Sequence, residues 1–212
     1  RALRILSEVD LILAEDTRVT KRLLDRYGLR APLLSYHQHS QLSRTDKIIE
    51  LLKQGKNLAL VSDAGTPGIS DPGNSLVEKV VESLGAQAQI FPVPGPSALV
   101  AAASVAGFPM DKFLFLGFPP TKNKRKKFFE TIFTFPYPVI FYESTHRILK
   151  TLSEMAEMRP IAEVVVCQEL TKKFEKTYRG SVRVVCEKLQ KADLRGEFVV
   201  IVDKCAKFRK DE

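Results

Sequence analysis

The residues best suited to chemistry fall in five stretches, 15–18, 62–73, 94–97, 143–147 and 168–173, each behind an apolar run. The longest is Ser62-Asp63-Ala64-Gly65-Thr66-Pro67-Gly68-Ile69-Ser70-Asp71-Pro72-Gly73. Glycine lets backbone N–H groups come close to a ligand, and proline fixes the shape of a loop. A turn this rich in both, at the carboxyl end of a strand, stands where open α/β sheets bind ligands. The competing reading is a strained strand-to-helix connection with no ligand, but loops of this density are more often functional. Pro94-Gly95-Pro96-Ser97 is a second rigid turn. Glu15-Asp16-Thr17-Arg18 is a charged cluster in the same kind of position, and equally reads as a helix-start acid beside a surface base.

Several chemistries have no footing. The sequence contains no G-x-G-x-x-G, no Walker A motif, no G-x-S-x-G elbow and no Cys/His nucleophile pair. His37-Gln38-His39 could share a strand face, but no Cys or carboxylate lies near enough in sequence to complete a metal site, so none is expected. His37 and His39 read instead as part of a polar loop facing a ligand. Cys167, Cys186 and Cys205 are odd in number and widely spaced, which points to buried thiols in a reducing compartment.

The elements that must position these residues alternate. Apolar runs at 9–14, 32–36, 57–61 and 89–93 read as strands. The segments 19–27, 42–54, 74–84 and 98–106 between and after them read as helices, as in a parallel sheet. Thr17 and Ser97 stand as helix caps, and Gly28 and Gly55 as helix ends. The helix at 98–106 is built from small residues and can pack closely. Gly107-Phe108-Pro109 reads as a junction. The expected domains are therefore 1–109 and 110–212. The second has strands at 113–118, 139–142, 163–167, 177–180 and 198–202, and helices at 128–133, 148–158 and 182–189. The tail from Lys204 is charged and is expected to fray.

At 212 residues the chain can bury a sizeable core. No apolar run approaches the roughly 20 residues that cross a bilayer, so no membrane partner is expected. The formal charge of +8 and a pI near 9.4 favour a polyanionic partner. The densest cationic run, Lys122-Asn123-Lys124-Arg125-Lys126-Lys127, opens a helix. Cations there oppose the macrodipole, which an anionic partner would relieve. Residue physics thus reaches a two-domain α/β protein with a crevice for a small molecule and a basic surface.

The combination of Ala14-Glu15-Asp16-Thr17-Arg18, Ser35-Tyr36-His37-x-His39, the Ser62–Gly73 run, Pro94-Gly95-Pro96-Ser97-Ala98, Phe141-Tyr142-Glu143-Ser144-x-His146-Arg147 and Glu169-Leu170-Thr171-Lys172 carries more. It resembles the tetrapyrrole methylase superfamily, and within it the branch that methylates a cytidine 2′-oxygen of 16S rRNA. The resemblance spans nearly the whole chain, and the Ser62–Gly73 run is specific. It implies two αβα domains with a cleft between them, S-adenosylmethionine in that cleft, a homodimer, and a cytoplasmic enzyme acting on 16S rRNA or the small ribosomal subunit. It places Asp63, Ala64, Gly65, Thr66 and Pro67 along the cofactor, Ser97 and Ala98 near its methionine end, and Tyr142, Leu170 and Thr171 on the second domain's side. Chains of this branch open with a strand and a Pro-Ile-Gly-Asn turn that helps form the pocket. This sequence starts after that turn, so the first domain is expected to lack its first strand. Thr145 stands where the branch usually has Pro, and Gln168 where it often has Arg.

Methyl transfer from a sulfonium asks the protein chiefly to position two reactants. A ribose hydroxyl is a poor nucleophile and benefits from a general base. Glu143, His146 and Glu169 are the candidates, with Glu143 ahead; its competing role is an ion pair with Arg147 at the helix start. Lys122, Lys124, Arg125, Lys126 and Arg147, with His37 and His39, are the candidate RNA contacts. Two alternatives stay open. One is methylation of a tetrapyrrole or other small acceptor. The other is a non-catalytic RNA-binding or assembly module.

Overall fold

The computed structural model describes residues 1–37 and 42–203. His39, Cys205 and the charged tail lie outside the described residues. The chain divides into two compact units, Arg1–Pro96 and Ser97–Glu212.

The first unit is built on a parallel sheet of β1 (Leu11–Ala14), β2 (Leu33–Ser35) and β3 (Leu58–Val61), in the order β2-β1-β3. Helices α1 (Ala2–Glu8), α2 (Thr17–Arg26), α3 (Leu42–Lys53) and α4 (Asn74–Leu84) connect and cover it. Strand alternation divides the core. Ile12 packs on one face with Leu6 and Leu24, while its neighbour Leu13 packs on the other with Tyr36, Ile48, Leu76 and Val80. With both faces covered, β1 reads as a continuous apolar run, as strands of parallel sheets do. Asp16, not Thr17, is the N-cap of α2, its carboxylate accepting from the Arg18 N–H.

The strand expected at 89–93 does not form. That segment pairs with no strand among the described residues and leaves Phe91 70% exposed. Apolar composition favours an extended segment, but only a partner's backbone turns one into a strand.

The second unit holds a mixed sheet of β4 (Leu114–Phe115), β5 (Val139–Ser144), β6 (Glu163–Gln168), β7 (Lys176–Ser181) and β8 (Glu197–Val202), ordered β4-β5-β8-β6-β7. β4 and β5 are parallel; the remaining pairings are antiparallel. Helices α6 (Arg125–Thr134), α7 (Ile148–Met158) and α8 (Val182–Gln190) cover one face, burying Phe129, Phe141, Leu152, Met155, Leu189, Phe198 and Val200. The opposite face is covered by α5 (Ala98–Ser104), where Ala102 and Ala103 pack on Ile140, Val165, Cys167, Val199 and Ile201. Small side chains let this helix lie close to the sheet. The packing accounts for a division at Pro96/Ser97, one helix earlier than the junction near residue 110 expected from the sequence. Cys167 and Cys186 are buried free thiols, and burial pushes the Cys167 thiol up.

Candidate active site

In the first unit β1 and β3 run side by side, with Ala14 opposite Val61. The residues that follow them therefore emerge together. The Asp63 N–H donates to Glu15 Oε2 at 3.2 Å, and the Asp16 N–H donates to Asp63 Oδ1 at 3.2 Å. This reciprocal latch fixes where the Ser62–Gly73 loop starts. Arg18 sits on Asp16 with its Nη2 2.6 Å from Oδ2 and holds that carboxyl down at about 2. The sequence places Glu15 only within the 15–18 charged cluster, with no task of its own. The available signal is that Glu15 directly follows the run ending at Ala14, while Asp63 lies two residues past the run ending at Val61.

The far end of the loop is shaped by glycine. Gly73 has φ 149°, and a Cβ there would stand 2.9 Å from Leu60 Cδ2 and 3.2 Å from the Gly68 nitrogen. A Cβ on Gly68 would stand 2.6 Å from Asn74 Oδ1, and the Asn74 amide donates to the Gly68 carbonyl at 2.8 Å. Gly65 also has positive φ, at 71°. Between these fixed ends, Asp63, Ala64, Gly65 and Thr66 are exposed, with Pro67 half-buried behind them. An exposed carboxylate beside the exposed segment Ala64–Thr66 suits a polar, nucleoside-bearing ligand. The residues present therefore fit the cofactor that the resemblance implies.

In the second unit, Ser97 is the N-cap of α5, although its hydroxyl makes no capping hydrogen bond. Leu99, Tyr142 and Leu170 pack against the same buried layer as α5. The structure thus brings Ser97, Ala98, Tyr142 and Leu170 to one face of this sheet. The Tyr142 ring meets Phe115 and Phe118 edge-on, at centroid distances of 4.9 and 5.6 Å. Glu169 and Thr171 both have positive φ, and the Thr171 N–H donates to Glu175. Gln168 is buried, donating to the carbonyls of Asp193 and Arg195 at 2.7 Å each, so it pins the turn before β8.

The three base candidates differ in environment. Glu143 is 1% exposed, its Oε1 accepting from the Ser144 N–H at 2.7 Å and pairing with Arg147 at 2.8 Å. Its Oε2 accepts from the Thr151 hydroxyl at 2.6 Å. Both oxygens are committed and no approach is left for a substrate hydroxyl. This corrects the leading sequence assignment, since the ion pair with Arg147 is the role the carboxylate fills. Glu169 Oε1 accepts from Lys172 Nζ at 2.8 Å and from the Glu197 N–H at 3.0 Å. The hydrogen bond from Lys172 holds its carboxyl below the usual range, which weakens it as a base. His146 is exposed and has no hydrogen bond or ion pair with the described residues.

The cationic run also divides. Lys122, Lys124, Lys126 and Lys127 are exposed, as is His37 in the first unit. Arg125 is 8% exposed. It donates to Glu154 Oε2, the Pro120 carbonyl and Thr151 Oγ1 at 2.8, 2.8 and 2.9 Å. It is therefore withdrawn from the RNA-contacting set, because its guanidinium is fully engaged inside the fold. Arg147 is partly buried, donating to the Pro119 carbonyl at 3.0 Å as well as pairing with Glu143. Among the described residues, no group of His, Cys, Asp or Glu could hold a metal ion, and no helix is long and apolar enough to cross a membrane.

A family model described as tetrapyrrole (corrin/porphyrin) methylases matches residues 1–185. The chain belongs to this family. It is 43% identical over 202 residues to the ribosomal RNA small subunit methyltransferase I of Thermotoga maritima, covering 95% of this chain and 90% of that one. It is 43% identical over 204 residues to the Bacillus subtilis protein of the same name, covering 96% and 69%. Among solved structures it resembles the methyltransferase CobJ, with TM-score 0.65 and 22% identity, covering 96% of this chain and 86% of that one. It also resembles diphthine synthase, with TM-score 0.70 and 12% identity, covering 95% and 82%. At those identities the likeness is one of fold. The expected αβ architecture is thereby that of the family.

Proposed function

We propose that this chain transfers a methyl group from S-adenosylmethionine to the 2′-hydroxyl of a cytidine in 16S rRNA, as a cytoplasmic homodimer acting on the small ribosomal subunit. The observation that carries this is 43% identity over 95% of the chain to a ribosomal RNA small subunit methyltransferase I. The latched Ser62–Gly73 loop, with Asp63, Ala64, Gly65, Thr66 and Pro67, would hold the cofactor in the first unit. Ser97, Ala98, Tyr142, Leu170 and Thr171 would hold it in the second.

Bound there, the cofactor supplies a methyl group already activated on a sulfonium, so the chain's own work is positioning and proton removal. His146, the exposed member of the base candidates, takes the proton from the ribose hydroxyl. Lys122, Lys124 and Lys126 of the second unit and His37 of the first would contact phosphates, supplying the sequence-independent part of RNA affinity. Arg147 supports them from its seat on Glu143. The test uses tritiated S-adenosylmethionine with undermethylated small subunits and, separately, with a porphyrinogen acceptor. Label in rRNA is the expected result. Label in the tetrapyrrole, or none despite intact RNA binding, would overturn the assignment.

A further inference from the structure

The loop that carries the cationic run hangs from a buried polar network. Glu143 is the next-to-last residue of β5 and Thr151 lies one turn inside α7, both almost wholly out of water. The Glu143 carboxylate holds Arg147 on one oxygen and the Thr151 hydroxyl on the other. That hydroxyl in turn accepts from Arg125 Nη2, so one carboxylate organises two guanidinium groups, one directly and one through Thr151. Each guanidinium then reaches the same loop. Arg147 Nη1 donates to the Pro119 carbonyl at 3.0 Å, and Arg125 Nη1 donates to the Pro120 carbonyl at 2.8 Å. Glu154 completes the seat of Arg125 at 2.6 Å from its Nη2.

Proline carbonyls are well placed for such a clamp. Two consecutive prolines restrict φ and offer no N–H of their own, which limits the orientations their carbonyls can take. Beyond the clamp the chain reaches Lys124 in the left-handed region, at φ 68°, before α6 begins. That conformation is unfavourable for a lysine and persists only where the surroundings over-determine it. Lys122 and Lys124 are exposed on this held segment.

We propose that Glu143 and Thr151 are positioning residues that set the Pro119–Lys124 loop through Arg147 and Arg125, presenting Lys122 and Lys124 to RNA phosphates. The proposal rests on the RNA-methylating reading above. It assigns Arg125 to the back of the RNA-contacting surface and gives the buried Glu143 a task other than proton transfer.

The test compares Thr151→Val, Thr151→Ser and Leu189→Ala in the full chain. Leu189 is a buried core residue on α8 with no part in the network, so its replacement controls for lost stability alone. Losing a buried hydroxyl that serves two charged partners is expected to raise the KM for RNA about tenfold. Its kcat and its KM for S-adenosylmethionine should stay within about twofold, because only RNA docking is altered. Thr151→Ser keeps the hydroxyl and is expected to restore the RNA KM. Leu189→Ala is expected to leave it unchanged. Equal RNA KM values for Thr151→Val and Leu189→Ala would overturn the proposal. Should Thr151→Val not fold, Arg125→Lys keeps the charge but loses the fork. Its RNA KM is expected to rise in the same way, and an unchanged value would overturn the proposal. Limited trypsin digestion reads the clamp without reference to RNA. Cleavage after Lys122 and Lys124 should be about tenfold faster in Thr151→Val than in wild type if the loop's held state is lost. An rRNA that accepts no methyl from wild-type protein would refute the functional reading, and the difference in cleavage rate would still support the clamp. Equal cleavage rates would refute the clamp itself.

Discussion

Replacing Gly73 by alanine tests whether the far end of the Ser62–Gly73 loop is as tightly built as the structure indicates. At φ 149° and ψ −36° the residue occupies backbone space that side chains rarely enter. That conformation costs about 1–3 kcal/mol for a residue with a Cβ. The new methyl would also stand 2.9 Å from Leu60 Cδ2 and 3.2 Å from the Gly68 nitrogen. The second neighbour is backbone and cannot swing away, and overpacking of this kind adds about 1–3 kcal/mol. The expected loss of about 2–6 kcal/mol corresponds to a fall in Tm of about 4–24 °C for a chain of this size, at about 2–4 °C per kcal/mol. Gly55→Ala is the matched control. Gly55 has φ 78° but nothing within 4 Å of its would-be Cβ, so only the left-handed penalty of about 1–2 kcal/mol applies. Thermal unfolding gives the first readout and calorimetric titration with S-adenosylmethionine the second. Gly73→Ala should lose markedly more stability than Gly55→Ala, and should lose cofactor affinity that Gly55→Ala retains. Equal Tm values and equal affinities in the two variants would refute the close-packed geometry and the loop's part in binding.

Three further outcomes follow from the charges. Asp16 titrates at about 2 because Arg18 donates to it. Its stabilising contribution is thus complete above the ordinary value of 3.8 and lost as pH falls through about 2. An NMR titration should show that midpoint, and Arg18→Gln should move it up toward 3.8. Glu169 is likewise held below 4.5 by Lys172, so Lys172→Met should raise its midpoint. The acid edge of stability should then move upward, as followed by unfolding at pH 3–5 (roughly the carboxylate titration range). Replacing Lys122, Lys124 and Lys126 together by Gln should weaken RNA binding and reduce the slope of log K against log salt by about 2, at about 0.7 per single-strand phosphate. An unchanged slope would place the RNA elsewhere.

Much of the scaffold was legible because hydrophobic period alone specifies it. The runs around Leu13, Leu60, Phe141 and Val200 have the length and apolar content of strands, and the Gly/Pro-dense turn after Val61 stands where a strand ends. What stayed hidden depends on partners distant in sequence. The run at 89–93 has the composition of a strand, but composition says nothing about which backbone will pair with it. The helix at 98–104 sits just before an apparent junction, and its allegiance shows only when Ala102 and Ala103 are seen against Ile140 and Ile201. Arg125 looked like one cation among its neighbours; Glu154 and Thr151, 29 and 26 residues away, make it an internal strut. Glu143 looked like a base because it follows a strand end beside a His. Its burial follows from Arg147 four residues on and Thr151 eight residues on, of which only the first was read from spacing.

The central claim is methyl transfer to a ribose hydroxyl of small-subunit rRNA, and the site of the methyl group tests it most directly. Full-length protein incubated with S-adenosylmethionine and undermethylated small subunits should leave an alkali-resistant 2′-O-methyl mark at one cytidine of the 16S rRNA, and His146→Ala should abolish it without abolishing RNA binding. A methyl group found on a base, on a tetrapyrrole, or on no acceptor would contradict the account.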